Sequence, residues 1–320
     1  MGQLRTLGRT GLLVSPIGLG LAALGRPGYI NLGHGEDLRG RTDVAAMERN
    51  AHSVLDEAFA GGIRYLDAAR SYGMAEAFLS SWLERRRLRP SDLTVGSKWG
   101  YTYTAGWRVD AAKQEVKDLS VATLRRQLAE SRAFLGQHLR LYQIHSATVE
   151  SGVLEDAAVL EELARLREEG VAIGITVTGP GQAETILRAL AIGAFDSVQA
   201  TWNIIERSAE PALVEAHAAG LGVIVKEALA NGRLARREAD PHLTALAAER
   251  GVTSDVLALA AVLARPWADV VLSGATTPDQ LRSNLVALDF DYGEELDHRL
   301  ARLTEEPAEY WSARAALAWN

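Results

Sequence analysis

The chain has 320 residues, 48% hydrophobic and 23% charged, with a formal net charge of -7 and no cysteine. That content can bury a large core, which excludes disordered and fibrous classes, and the missing cysteine removes disulfides, thiolate nucleophiles and cysteine-bound zinc, as expected of a cytoplasmic protein. Arginines are interleaved with acids rather than blocked, so no basic stripe exists for a nucleic-acid backbone and no nucleic-acid partner is expected.

In chain order, residues 4–14 read as a short hairpin punctuated by Gly8 and Gly11. Residues 11–25 are apolar and follow Arg5 and Arg9 as a signal peptide's core follows its basic start, but Pro16 and four glycines break the apolar helix such a segment needs. The opening also fits the loose myristoylation pattern through Gly2 and Thr6, a pattern short enough to recur by chance. No stretch reaches the roughly 18 apolar residues of a membrane helix, and no membrane partner is expected.

Short β-rich apolar runs then recur at residues 15–20, 63–67, 93–98, 139–145, 171–176, 196–201, 221–226 and 269–273. Between them, residues 45–61, 75–87, 121–135, 154–170, 182–193 and 209–220 carry apolar side chains at helical spacing, several ending in glycine. Continuously apolar strands are buried on both faces, and alternating strand and helix gives a parallel sheet covered by helices. Eight such units predict an α/β fold of the (β/α)8 TIM-barrel type, with the N-terminal hairpin before it and one or two extra helices over residues 293–320 after it. Glycine and proline punctuate strand ends, and neither linker nor repeat appears, so residues 1–320 are expected to form a single domain.

A barrel of this kind carries its chemistry at the C-terminal ends of its strands. Asp67 closes the second apolar run, Lys98 the third and His145 the fourth, and Tyr72 lies in the loop after Asp67. Singly, each has a plain structural role, such as helix capping for an aspartate or core packing for a histidine. Together they predict a charged cluster in a cleft, because lysine and aspartate are almost never buried without partners.

These residues also carry a resemblance. The segment Gly62-Ile63-Arg64-Tyr65-Leu66-Asp67-Ala68-Ala69-Arg70-Ser71-Tyr72-Gly73 closely resembles the signature of the aldo-keto reductase family around its catalytic aspartate and tyrosine. Ser97-Lys98 resembles the family's lysine strand and Leu141-Tyr142-Gln143-Ile144-His145 its histidine strand. Val198-Gln199 with Trp202-Asn203 resembles the sixth-strand segment, and Ser273-Gly274-Ala275-Thr276-Thr277-Pro278 with Gln280 and Asn284 the cofactor segment. Leu7-Gly8-Arg9-Thr10-Gly11-Leu12 and Ile17-Gly18-Leu19-Gly20 are similar to its opening hairpin and first strand, so the likeness spans the whole chain.

The resemblance implies an oxidoreductase that reduces a carbonyl (aldehyde or ketone) to an alcohol, or the reverse, on a small-molecule substrate. Hydride passes from NAD(P)H to the carbonyl carbon while Tyr72 supplies a proton to the oxygen. A free tyrosine has a pKa of about 10, so the Lys98 cation is expected to lower that of Tyr72, with Asp67 holding Lys98 and His145 orienting the carbonyl. Thr176, Gln199, Lys226, Leu229, Asn231, Gly232, Ser273, Gly274, Ala275, Thr276, Gln280 and Asn284 are the implied cofactor residues, with the pyrophosphate under Leu229, Asn231 and Gly232.

The pattern is broken in places. After the fifth strand, where relatives commonly carry Ser-Asn for the carboxamide, the chain has Thr176-Val177; Lys226 stands where an aromatic residue commonly stacks on nicotinamide, and it could pair with Glu227 instead. Gly274 and Gln280 hold positions where many relatives place a lysine and an arginine against the adenosine 2′-phosphate. Arg282, or Arg233, Arg236 and Arg237, could supply that charge, and the family favours NADPH, so NADP(H) is expected with NAD(H) as the alternative. Tyr29 in the loop 26–41, with Trp99, Tyr101 and Trp107 in the loop 99–107, are the expected substrate-pocket residues. His34, Glu36 and Asp37 lack a spaced partner such as H-E-x-x-H, so no metal is expected.

Three other readings bear comparison. Gly18-Leu19-Gly20-Leu21-Ala22-Ala23 mimics a Rossmann fingerprint, but no acid closes a second strand about 20 residues on. An aldolase using Lys98 as a Schiff base is disfavoured because Asp67 keeps the amine protonated. A non-enzymatic, NADPH-binding, redox-sensing barrel subunit would keep all four site residues, but the acidic balance and the lack of an apolar docking helix count against it.

Overall fold

A computed structural model of the chain describes residues 4–235 and 240–320. Its strands are, in chain order, β1 (Arg5–Thr6), β2 (Leu13–Val14), β3 (Ile17–Gly20), β4 (Tyr65–Asp67), β5 (Thr94–Trp99), β6 (Tyr101–Tyr103), β7 (Glu115–Lys117), β8 (Leu139–Ala147), β9 (Ala172–Val177), β10 (Ser197–Thr201), β11 (Gly222–Lys226) and β12 (Val270–Ser273). Eight of them, β3, β4, β5, β8, β9, β10, β11 and β12, close in that order into a parallel barrel with helices around it. Each apolar run of the sequence coincides with one barrel strand to within two residues at either end.

The barrel closes because these strands are apolar on both faces. The outward side chains, among them Leu66, Val95, Ile144, Ile175 and Val198, join the helices in the main core, all at 2% exposure or less. The N-terminal hairpin of β1 and β2 plugs the floor, where Leu7 and Val14 meet Tyr65, Leu141, Ile224 and Val270. Gly8 is obligatory in that plug, since a Cβ there would lie 2.2 Å from the Gly222 nitrogen and its φ is 48°.

Several elements go beyond the sequence reading. A short helix, His34–Leu38, interrupts the loop after β3, and β6 and β7 form an antiparallel hairpin over the barrel mouth. Helices Pro241–Glu249, Ser254–Leu263 and Pro278–Val286 also escape a periodicity reading. Ser254–Leu263 buries seven consecutive residues, Val256 to Val262, and so shows no amphipathic stripe. The tail supplies the expected helices, Glu294–Leu300 and Pro307–Ala315. No helix among the described residues is long and apolar enough to cross a membrane.

Candidate active site

The C-terminal ends of the strands open into a cavity of about 770 Å³. Asp67 is the last residue of β4 and Lys98 the penultimate residue of β5, and both are buried to 1% exposure. The Lys98 ammonium uses all three of its protons: it donates to Asp67 Oδ1, to the Ala68 carbonyl at 3.1 Å and to Tyr72 Oη at 3.4 Å. Gln199 on β10 donates to the other Asp67 oxygen at 2.6 Å, so the carboxylate is held from two strands. Charges buried this deeply persist only when partnered, and this pair is.

His145 owes its position to an irregularity. The register of β8 against β9 shifts between Ile144 and Ala147, and Ser146 takes a left-handed φ of 56° while donating its N–H to Thr176 Oγ1 at 2.7 Å. Such a bulge re-aims the side chain beside it, here turning His145 into the cavity. The imidazole stands edge-on to Tyr72, ring centres 5.6 Å apart, and to Tyr101 at 5.0 Å. The Tyr72 loop is fixed from behind by Arg70, which pairs with buried Glu76 at 2.6 Å and with Glu130 at 2.9 Å. Glu76 also accepts from Ser97 and Ser131, at 2.6 and 2.7 Å.

The electrostatics correct one expectation. Burial, and then the Asp67 charge, push the Tyr72 phenol well above its ordinary range, and Arg26 opposes them. Lys98 is not among the main influences on the phenol, since its charge is matched by Asp67, which it contacts more closely than Tyr72. Burial also holds the His145 imidazole far below its usual value, reinforced by Lys98, Arg26, Lys226 and Lys117, so the ring is neutral at pH 7. A protonated phenol and a neutral imidazole thus face one cavity, an arrangement that can donate a proton and a hydrogen bond to the same oxygen.

The chain was compared with known proteins. The model of the Aldo/keto reductase family matches residues 16–303. The chain belongs to that family. The oxidoreductase YqkF of Bacillus subtilis is 27% identical over 314 residues, covering 88% of this chain and 90% of the relative. The NADH-specific methylglyoxal reductase of Escherichia coli is 26% identical over 322 residues, covering 90% and 94%. A solved aldo-keto reductase of Bacillus halodurans, in its holo form, superposes with a TM-score of 0.72 at 24% identity, covering 96% of this chain and 97% of the other. Family membership supports carbonyl reduction by a nicotinamide-dependent oxidoreductase.

In this reductase the remaining sequence-derived residues divide. Thr176, Gln199, Lys226, Leu229, Asn231, Gly232, Ser273, Gly274, Ala275, Thr276, Gln280 and Asn284 all line the cavity. Several are committed to neighbours: Ser273 donates to Asn284 at 2.8 Å, and the Gln280 amide accepts from the Thr276 N–H at 2.8 Å and donates to Asp37 at 2.7 Å. The Gly232 N–H is bonded to the Leu229 carbonyl at 3.0 Å. Its φ of 92° and the Leu32 carbonyl 3.3 Å from a would-be Cβ explain the glycine. The Asn231 Oδ1, in the loop that the resemblance assigns to the pyrophosphate, is a buried acceptor without a partner among the described residues.

Lys226 donates to Thr201 Oγ1 at 2.7 Å and lies 3.8 Å from Glu227, while Glu227 is gripped by Arg314 of the tail at 2.8 Å. Burial pushes the Lys226 amine down to about 8. Burial would raise the Glu227 carboxyl, but Lys226 and Arg314 hold it down at about 2.

The aromatic wall needs correcting. Tyr29 lines the cavity, and Tyr101 reaches it through His145. Trp99 does not: it follows Lys98 on β5, so it points to the opposite face and is wholly buried in the outer core. Trp107 donates to the Thr42 carbonyl at 2.6 Å and packs edge-on against Phe78, also away from the cavity.

The tail supplies the missing wall. Arg314, Leu317 and Trp319 line the cavity, and the Asn320 backbone pairs both ways with that of Tyr29, at 3.0 and 3.1 Å. Sequence reasoning missed Arg26 as well. Its guanidinium is 2% exposed and lies 4.7 Å from the Trp319 ring and 5.3 Å from that of Tyr72. It donates to Ser71 O and Glu115, at 2.9 and 3.0 Å, and leaves a buried Nε without a partner. The candidate phosphate cations are engaged elsewhere: Arg282 holds Glu57 at 2.6 Å and Asp279, Arg233 holds Glu305, and neither lines the cavity. Arg236 and Arg237 lie outside the described residues.

Proposed function

We propose that this reductase converts the carbonyl of a small aldehyde or ketone to an alcohol, or the reverse, using NAD(P)H and Tyr72 as general acid and base. The observation that carries the reading is the Lys98 ammonium, locked on Asp67, donating to Tyr72 Oη at 3.4 Å inside the cavity. The cavity volume suits a large organic cofactor, and the unpartnered Asn231 Oδ1 is an acceptor for a donor such as a ribose hydroxyl along that wall. Thr176 and Gln199 would hold the nicotinamide end, Leu229, Asn231 and Gly232 the pyrophosphate, and Ser273 to Thr276 with Gln280 and Asn284 the adenosine.

When bound, the reduced nicotinamide supplies a hydride to the carbonyl carbon. Tyr72 gives its phenolic proton to the carbonyl oxygen, and the phenolate left behind is stabilised by Lys98 and Arg26. Neutral His145 donates a hydrogen bond that fixes the oxygen beside Tyr72. The raised Tyr72 phenol suits the donor role at neutral pH. A small substrate agrees with the methylglyoxal in the name of the E. coli relative.

Tyr72→Phe tests the reading. Turnover against a panel of aldehydes and ketones should fall by about 10²- to 10⁴-fold, while cofactor affinity, read by fluorescence quenching, stays within a few-fold. Undiminished turnover in that variant would sink the assignment.

A further inference from the structure

The cations at the catalytic end outnumber the carboxylates that hold them. Lys98 holds Asp67, Arg26 holds Glu115 at 3.0 Å and Arg314 holds Glu227 at 2.8 Å, and all six line the cavity. Lys226 is a further lining cation. Its ammonium donates to the neutral Thr201 hydroxyl at 2.7 Å, and Glu227, which Arg314 already grips, stands 3.8 Å away. Glu227 favours the Lys226 charge, whereas Arg314 and Lys98 oppose it. The surplus also reaches His145, whose imidazole feels Lys98, Arg26, Lys226 and Lys117.

Arg26 adds unused donors to this positive field. Its guanidinium is 2% exposed, and both of its hydrogen bonds, to Ser71 O and to Glu115, leave from Nη1. Nε is buried without a partner, and Nη2 donates to no acceptor among the described residues. The rings of Tyr29, Tyr72 and Trp319 surround the guanidinium, their centres 5.1, 5.3 and 4.7 Å from its central carbon. Burying donors without an acceptor is costly, and an Nε–Nη2 edge is a fork that takes both oxygens of a carboxylate. Because Tyr72 is the neighbour, an anion on that edge would stand beside a carbonyl placed on the Tyr72 hydroxyl. One carboxylate charge matches one surplus cation, whereas a phosphate monoester brings about two charges.

We propose that Arg26, supported by the surplus charge of Lys226, anchors a carboxylate on the substrate, so that the preferred substrates are short oxo acids in which the carboxylate lies a few carbon atoms from the aldehyde or ketone. The proposal rests on the carbonyl-reductase reading above and names the substrate class of that same site. The carboxylate itself does not react: hydride reaches the carbonyl carbon, Tyr72 protonates the carbonyl oxygen, and the product is the corresponding hydroxy acid.

The test pairs each acid with its neutral ester. Reduction of 4-oxobutanoate and 4-oxopentanoate is compared with that of their methyl esters in the native protein, Arg26→Met, Arg26→Lys and Lys226→Met. The native kcat/KM should favour the acids by about tenfold or more, through a lower KM. The ratio of acid to ester cancels any loss common to both substrates, so it isolates the anchor. It should fall to near parity in Arg26→Met and take intermediate values in Arg26→Lys and Lys226→Met. Esters reduced as well as the acids by the native protein would overturn the proposal, as would a ratio unchanged in Arg26→Met. If the native protein reduces none of the four, the reductase reading fails, and the anchor is then decided by calorimetry with succinamate and succinamide, which carry an unreactive amide in place of the carbonyl. Tighter binding of succinamate that is lost in Arg26→Met supports the anchor; equal binding of the two, or of neither, overturns it.

Discussion

The two ends of the cavity are built on different supports. At the catalytic end the charges come from strand termini: Asp67, Lys98 and His145 are anchored in a closed barrel, and the Asp67–Lys98 pair is almost sealed from water. At the end proposed for the adenosine, Glu36, Asp37, Asp255 and Asp279 stand on short helices and their first turns, partly or wholly open to solvent. The difference teaches where rigidity is needed. A group that transfers a proton must be held in a dry, fixed geometry, at the cost of burying charge; a group that only discriminates between ligands can act from a wet rim, where water lowers that cost.

The sharpest break in that comparison comes from removing one buried charge. Lys98→Met leaves the Asp67 carboxylate buried with Gln199 as the one side chain among the described residues that still donates to it, and should cost about 3–5 kcal/mol of stability in denaturant melts. Asp67→Asn/Lys98→Met should recover much of that loss without restoring turnover. Gln280→Ala, at the other end, removes a half-buried amide and should cost only about 1 kcal/mol. Equal losses from Lys98→Met and Gln280→Ala would erase the distinction between a sealed and a wet end.

That distinction also governs what the sequence discloses. Asp67, Lys98 and His145 are legible because each is an ionisable residue at the end of an apolar run, and the barrel brings such ends together. Trp99 misleads because proximity in sequence to Lys98 means the opposite face in a strand; the alternation of side chains along β5 was the signal that could have placed it outside. Arg26, Asp37 and Arg314 are invisible for another reason. Their partners are Glu115, Gln280 and Glu227, between 87 and 243 residues away, and no local pattern encodes a contact made by loops of the barrel mouth. The hairpin of β6 and β7 escapes notice because its strands are three residues each and the connection between them is long.

A second effect lies at Lys226, on the margin of the sealed end. Its amine is pushed down to about 8 by burial, whereas an unfolded lysine titrates near 10.4. Between those values the unfolded chain holds a proton that the folded chain has released, so stability gains with rising pH. The native protein should therefore gain on Lys226→Met by up to about 3 kcal/mol between pH 8 and 10.4, as read from melts at several pH values. A flat difference over that window would mean that Lys226 is as well solvated as a surface lysine, and the sealed end would be smaller than the geometry indicates.

The smallest effect concerns Arg26, the cation that lies against both Trp319 of the tail and Tyr72. Burial and Asp67 raise the Tyr72 phenol, and Arg26 is the first group that opposes them. In the reduction direction the phenol is already protonated at neutral pH, so Arg26→Met should change the pH dependence of reduction little. In the oxidation direction Tyr72 must first lose its proton, and without the guanidinium that loss becomes harder. The alkaline rise in alcohol oxidation should then move upward by about one pH unit, equivalent to about 1.4 kcal/mol. Arg26→Lys, which keeps the charge but loses the fork that holds Ser71 O and Glu115, should restore part of the shift. A loss of rate in both directions with an unmoved pH profile would make Arg26 a brace for the Trp319 tail and nothing more.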